Sequence, residues 1–161
     1  MIKIIRNILL IAISIYAFNV HSDNSTSRID WDKLEKSNNS DLFSIKSLKC
    51  TLGKGSVGLW KSGSLKIEAD NWNTTIYYDS IDIESGSARI IGNQGSGNAV
   101  VLTTGIGITF IEKTGIGNLT FTTVFNSKNK SGQFYAVSSR HIDSLGDLLP
   151  SQYHGTCDAW E

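Results

Sequence analysis

From Phe43 onward, apolar and polar residues alternate along the chain with a period of two. Leu48, Cys50 and Leu52 alternate with Lys49 and Thr51, and Leu65, Ile67 and Ala69 alternate with Lys66 and Glu68. Ile81 and Ile83 flank Asp82, while Ile106, Ile108 and Phe110 enclose Gly107 and Thr109. Leu119, Phe121, Thr123 and Phe125 alternate with Thr120, Thr122 and Val124, and Phe134 and Ala136 with Tyr135 and Val137. This pattern marks strands with one face on a core, and it places the first-named residue of each series inward.

The interruptions carry turn chemistry: Gly53-Lys54-Gly55, Lys61-Ser62-Gly63, Asp79-Ser80, Ser85-Gly86, Gly92–Asn98, Gly115–Asn118 and Asn126–Gly132. They divide the chain into strands at 43–52, 57–60, 64–69, 74–78, 80–84, 87–92, 98–103, 106–112, 118–125 and 132–140. Links this short join antiparallel neighbours, because a parallel crossover needs a dozen or more residues. The expected fold is therefore mainly β. It is an antiparallel meander of about eight to ten short strands, forming a small barrel or a sandwich.

Two segments depart from this period. The leader MIKIIRNILLIAISIYAFNVHS has Lys3 and Arg6 ahead of an apolar run at 8–20. That run is short for a membrane span, and its anatomy is that of a signal peptide, residues 1–22, cleaved after Ser22. Residues 23–42 are polar, with Ile29, Trp31 and Leu34 spaced as a short helix and Asp32–Lys36 at i,i+4. The β domain, 43–161, follows as one unit. At its end, Ile142–Leu149 is expected to form a helical turn with Ile142, Leu145 and Leu149 inward, stopped by Pro150.

The charge balance narrows the partners. The chain has 15 basic and 15 acidic residues, and loss of Lys3 and Arg6 with the leader leaves 13 against 15. Without basic clusters, neither nucleic acid nor an anionic membrane surface is an expected partner. Export after leader cleavage leaves no membrane span and an oxidising destination, periplasmic or secreted. There the two cysteines, Cys50 and Cys157, are expected to pair.

Candidate chemistry concentrates in Ser138–Cys157, SSRHIDSLGDLLPSQYHGTC. Ser138 or Ser139, His141 and Asp143 include the residue types of a nucleophile, a base and an orienting acid. On one extended strand, however, Ser139, His141 and Asp143 are about 6.5–7 Å apart in successive steps, beyond hydrogen-bond reach. Metal binding is not expected. His141 and His154 are thirteen residues apart, and Asp143 and Asp147 complete no recognised ligand spacing. Gly92–Asn98 lacks the Lys-Ser/Thr ending of a phosphate loop, and no cofactor is expected. Thr104-Gly-Ile-Gly107 and Thr114-Gly-Ile-Gly117 repeat as two hairpin-end signals.

Arg140, His141, Tyr153 and His154 are thus expected either to cap backbone where the last strand closes or to face a ligand pocket. Trp60, Trp72, Tyr77, Tyr78, Phe110, Phe121 and Phe125 are expected to be core or the lining of such a pocket. The leading expectation is an exported, non-enzymatic binding module for a small apolar ligand or an envelope protein. A small hydrolase using His141 is one alternative, and a structural or envelope-interaction protein without a pocket is another.

The segments LKCTLGKGSVGLW, SARIIGNQGSGNAVV, ITFIEKTGIGNLTFTTVF and FYAVSSRH…LPSQYHGTC together resemble a group of small exported bacterial proteins. That group has a Ser-Arg-His…Pro-Ser-Gln-Tyr-x-Gly-x-Cys ending. The resemblance implies an exported bacterial domain and carries no activity or catalytic residue with it.

Overall fold

The computed structural model describes residues 41–161 apart from 94, 115, 116 and 145. The expected leader at 1–22 lies outside the described residues, as does the helix expected within 23–42. The described chain opens with a single 3-10 turn, η1 (Asp41–Ser44), followed by strands β1 (Leu48–Lys61), β2 (Ser64–Asp82), β3 (Ser87–Gly92) and β4 (Gly95–Thr104). β5 (Gly107–Lys113), β6 (Leu119–Lys128) and β7 (Phe134–His141) continue the meander. Two short strands, β8 (Asp143–Ser144) and β9 (Asp147–Leu148), precede β10 (Ser151–Ala159).

Every pairing is antiparallel, and the order β1-β10-β7-β6-β5-β4-β3-β2 returns to its start, so the eight long strands form a closed barrel. Closure rests on β1, which pairs with β2 on one side and β10 on the other. Cys50 lies directly opposite Cys157 at that seam and the two are disulfide-bonded. The segment Ser151–Ala159, in which the sequence pattern shows no strand, is therefore itself a barrel strand.

Eight strands leave an interior just wide enough for side chains to fill. Leu48, Cys50, Leu52, Ile76, Tyr78, Ile108, Phe110, Val124, Phe134, Ala136 and Cys157 fill it, all buried. The Tyr78 and Phe110 rings stack at 3.8 Å between centroids across the middle. η1 seals one end with Leu42, which is fully buried, and the segment after it is held by the Ile81 amide donating to the Lys46 carbonyl.

Two expected turns are strand irregularities instead. β1 runs through Gly53-Lys54-Gly55 with a register shift against both neighbours, and β2 runs through Asp79-Ser80 with Ser80 at φ 51°. A bulge needs the same backbone freedom as a turn, which is why glycine marks both. The true turn is Ser62-Gly63, where φ values of 51° and 77° give the two-residue hairpin link matched to strand twist.

The helical turn expected near Ile142–Leu149 is corrected to a hairpin. Asp143 pairs with Leu148 and Ser144 with Asp147, Gly146 adopts φ 95°, and its amide donates to the Asp143 carboxylate at 2.8 Å. The Leu149 amide donates to the Ile142 carbonyl, and Ile142 and Leu149 are each only half-buried, so they form no inward helical stripe. A carboxylate cap on a left-handed glycine fixes a tight reversal that the apolar spacing does not reveal.

Candidate functional site

Antiparallel register decides which side chains meet. Opposed residues share a face, so Glu112–Thr120–Arg140–Ser151 forms one inward row across β5, β6, β7 and β10. The next row is Phe110–Thr122–Ser138–Tyr153–Gly55–Asp70. These rows lie at the end of the barrel opposite η1, and their inward residues are mostly polar. Thr122 donates to Ser138 at 3.0 Å in a fully buried pair. The Tyr153 hydroxyl donates to the Asp70 carboxylate at 2.6 Å, and Trp72 packs 5.2 Å from the Tyr153 ring. The Arg140 guanidinium sits over Trp72 at 4.2 Å from its centroid.

Arg140 and Tyr153 therefore converge, joined by Trp72, into a polar plug whose members partner one another. The Tyr153 hydroxyl, with help from the Asn71 backbone, holds the Asp70 carboxyl below its ordinary value. Partial burial pushes Glu112 above its ordinary value, with the Arg140 charge opposing it. For a carboxylate raised in the fold, stability is reduced at neutral pH and recovered as pH falls through the folded pKa. Glu112→Gln is accordingly expected to raise the thermal midpoint at pH 7 by about 1–3 °C. The gain should disappear below the ordinary carboxylate range, which scanning calorimetry at pH 7 and at about pH 3 would check.

His141 and His154 do not join this cluster. They sit on the opposite face of their strands, on the outer wall. His141 packs against Phe121 at 5.3 Å between ring centroids, and His154 is exposed opposite Val137. The triad arrangement also dissolves. Ser138 is buried with Thr122, Ser139 accepts from the Gln152 amide at 3.2 Å, and Asp143 caps Gly146. Among the described residues no three His, Cys, Asp or Glu side chains group as metal ligands. No helix of the described residues is long and apolar enough to cross a membrane.

The aromatic residues divide in the same way. Tyr78 and Phe110 are core and Trp72 is in the plug. Tyr77 packs on Trp160 at 4.8 Å, and Phe121 and Trp60 lie on the outer wall. Sequence alternation placed Leu65, Ile67, Leu119 and Phe121 inward, and this is corrected: β6 buries Thr120, Thr122 and Val124 instead. On β2 the inward series from the core is Ile76, Trp72 and Asp70, so Leu65, Ile67 and Ala69 face outward.

These displaced residues gather on the outer wall. β1 pairs with β10 only as far as Val57, and the β1–β2 hairpin continues beyond it to the Ser62-Gly63 turn. The Gly58 amide donates to the Pro150 carbonyl at 2.7 Å, holding the hairpin base against β10. Beside it lies an open cleft of about 320 Å³ lined by Trp60, Leu65, Ile67, Pro150 and His141, with Ser139 and Gln152 along its floor. Trp60, Leu65 and Ile67 are 48%, 52% and 63% exposed. Grouped apolar exposure of this kind marks a contact surface more often than scattered residues do.

The backbone at this place is also unpartnered. β2 pairs with β1 from Ser64 to Tyr78 but meets β3 only from Tyr77. Among the described residues, Ser64–Ile76 has no strand on its second edge. The apolar residues flanking the Ser62-Gly63 turn, Trp60, Leu65 and Ile67, are the sequence signal for this feature. No family model, curated protein or solved structure matches the chain.

Proposed function

We propose that this chain is an exported, non-enzymatic binding module that takes an extended polypeptide along the free edge of β2. The carrying observation is the unpaired run Ser64–Ile76 with exposed Leu65 and Ile67 on the same wall as the cleft. A strand added there gains main-chain hydrogen bonds from the edge. Its alternate side chains lie beside Leu65 and Ile67, which is recognition by strand addition. Of the two partner types expected for a binding module, a protein fits this surface better than a small apolar guest, since Tyr78 and Phe110 occupy the barrel centre. The separation of Ser139, His141 and Asp143 into different local roles supports a non-enzymatic reading. The paired cysteines and the leader-like first 22 residues support export, and bacterial origin follows the resemblance of the Ser138–Cys157 segment.

A fluorescein-labelled nonapeptide of alternating Val and Thr, followed by anisotropy, tests this reading. Saturable binding is expected. Ile67→Lys, at an exposed site, should weaken it about tenfold while leaving the thermal midpoint nearly unchanged, as surface substitutions do. Absence of saturable binding, or equal binding by Ile67→Lys, would remove strand addition at β2.

A further inference from the structure

Taken as the docking edge proposed above, β2 carries a sequence that complements itself. We infer that two copies of this chain associate through β2, antiparallel, about a two-fold axis at Ile67. A two-fold axis perpendicular to a continuous sheet keeps each residue's face, so only residues of one face can oppose one another. The permitted registers are therefore those centred on a single residue. Centring on Lys66 or Glu68 sets like charges face to face, and centring on Ala69 sets Glu68 against the partner's Asp70. Centring on Leu65 puts Lys66 opposite Ser64 and runs Ile67 onto the Gly63 turn.

Centring on Ile67 satisfies every position. Lys66 then opposes the partner's Glu68, twice by symmetry, and opposite charges directly across a ladder stabilise it. On the outer wall Ile67 meets the partner's Ile67, and Leu65 meets the partner's Ala69. Lys66 Nζ already lies 2.7 Å from Glu68 Oε1 within one strand, so both charges stand on one face beside the axis. A lone lysine protects an edge against pairing, whereas Lys and Glu two apart present a matched pair to a second copy. Seven paired residues a side are a small interface, so the association is micromolar or weaker.

Sedimentation equilibrium of the disulfide-bonded protein should show a monomer–dimer equilibrium. Lys66→Glu and Glu68→Lys should each weaken it by about tenfold, because each sets like charges across both symmetric contacts. The double variant Lys66→Glu/Glu68→Lys should restore it, since the charges are exchanged and still complementary. The described chain has no free cysteine, so Ile67→Cys should oxidise to a covalent dimer. Leu65→Cys should not, because its copy lies about 13 Å away in this register. A monomer at every concentration overturns the inference, as does a dimer indifferent to the single reversals or a Leu65→Cys crosslink. If the Val/Thr peptide still binds such a monomer, strand addition stands and self-pairing alone falls. If the peptide fails to bind while the charge-swapped dimer forms, the edge serves self-association only.

Discussion

Reduction of the Cys50–Cys157 bond is expected to lower the stability of this protein by about 2–4 kcal/mol. The bond spans 107 residues, nearly the whole β domain. In the chain-entropy account a loop of that length is worth on the order of 4–5 kcal/mol, which native strain and residual structure reduce. Its position matters as much as its span. β1 and β10 are the first and last strands of the barrel, so their pairing is the least local contact in the fold and the slowest to close unaided. Cys50 and Cys157 are both fully buried and directly opposed, so the bond holds the ladder in its native register. Single domains of this size are stable by roughly 5–15 kcal/mol, so the loss is a large share of the total. Urea titrations with and without a reducing agent would show it as a lower midpoint. An unchanged midpoint after verified reduction would mean that the strand ladder alone closes the barrel. The Cys50→Ala/Cys157→Ala variant provides the same comparison without reductant, with the midpoint displaced in the same direction.

Which features were legible in the sequence follows from what period-two patterning can carry. It identifies strands and sorts residues onto two faces, and for β1, β5 and β7 the more apolar face is the inner one. For β6 it is not. The interior beside β6 contains a hydroxyl layer, with Thr122 bonded to Ser138, and burial pushes the phenol of neighbouring Tyr78 well above its ordinary value. Phe121 is left to the outer wall, against His141. Hydrophobicity cannot select the inner face of a strand whose inner face is threonine. β10 is not legible in the sequence for a related reason: its inward residues are Ser151, Tyr153, Gly155 and Cys157, which show no apolar alternation. Glycine-rich breaks in β1 and β2 were ambiguous because a bulge and a turn use the same backbone conformations. The candidate site was legible only in part. Arg140 and Tyr153 were drawn from a dense segment and do meet, but through Trp72 and Asp70, residues more than sixty positions earlier in the chain. The outer cleft was hidden because Leu65 and Ile67 look like core until the register assigns them outward. At Leu65, Ile67 and Leu119 the failure of patterning coincides with apolar surface exposed on the barrel wall, as expected where local rules yield to a contact surface.

Gly155→Ala is expected to destabilise the protein by about 3 kcal/mol or more with the disulfide intact. Gly155 sits in β10 between Leu52 of β1 and Ala136 of β7, on the same closing seam. A Cβ there would fall far inside van der Waals contact distance of the Thr51 carbonyl oxygen and 2.9 Å from Leu52 Cα. Both obstacles are backbone, so no rotamer change relieves them and β10 must move away from β1. That movement breaks the ladder two residues from Cys157, and the covalent bond keeps the displaced strand from leaving. The strain is then shared by the neighbouring hydrogen bonds rather than released. Gly97→Ala is the matched control, since its Cβ meets only Ile90 Cγ2 at 3.7 Å, an ordinary contact in β4. Its unfolding free energy from urea titration should stay within about 0.5 kcal/mol of the parent in the two-state analysis. If Gly155→Ala behaves like Gly97→Ala, the β1–β10 seam is looser than its register implies. Closure would then depend on the disulfide more than on the close approach of the two backbones.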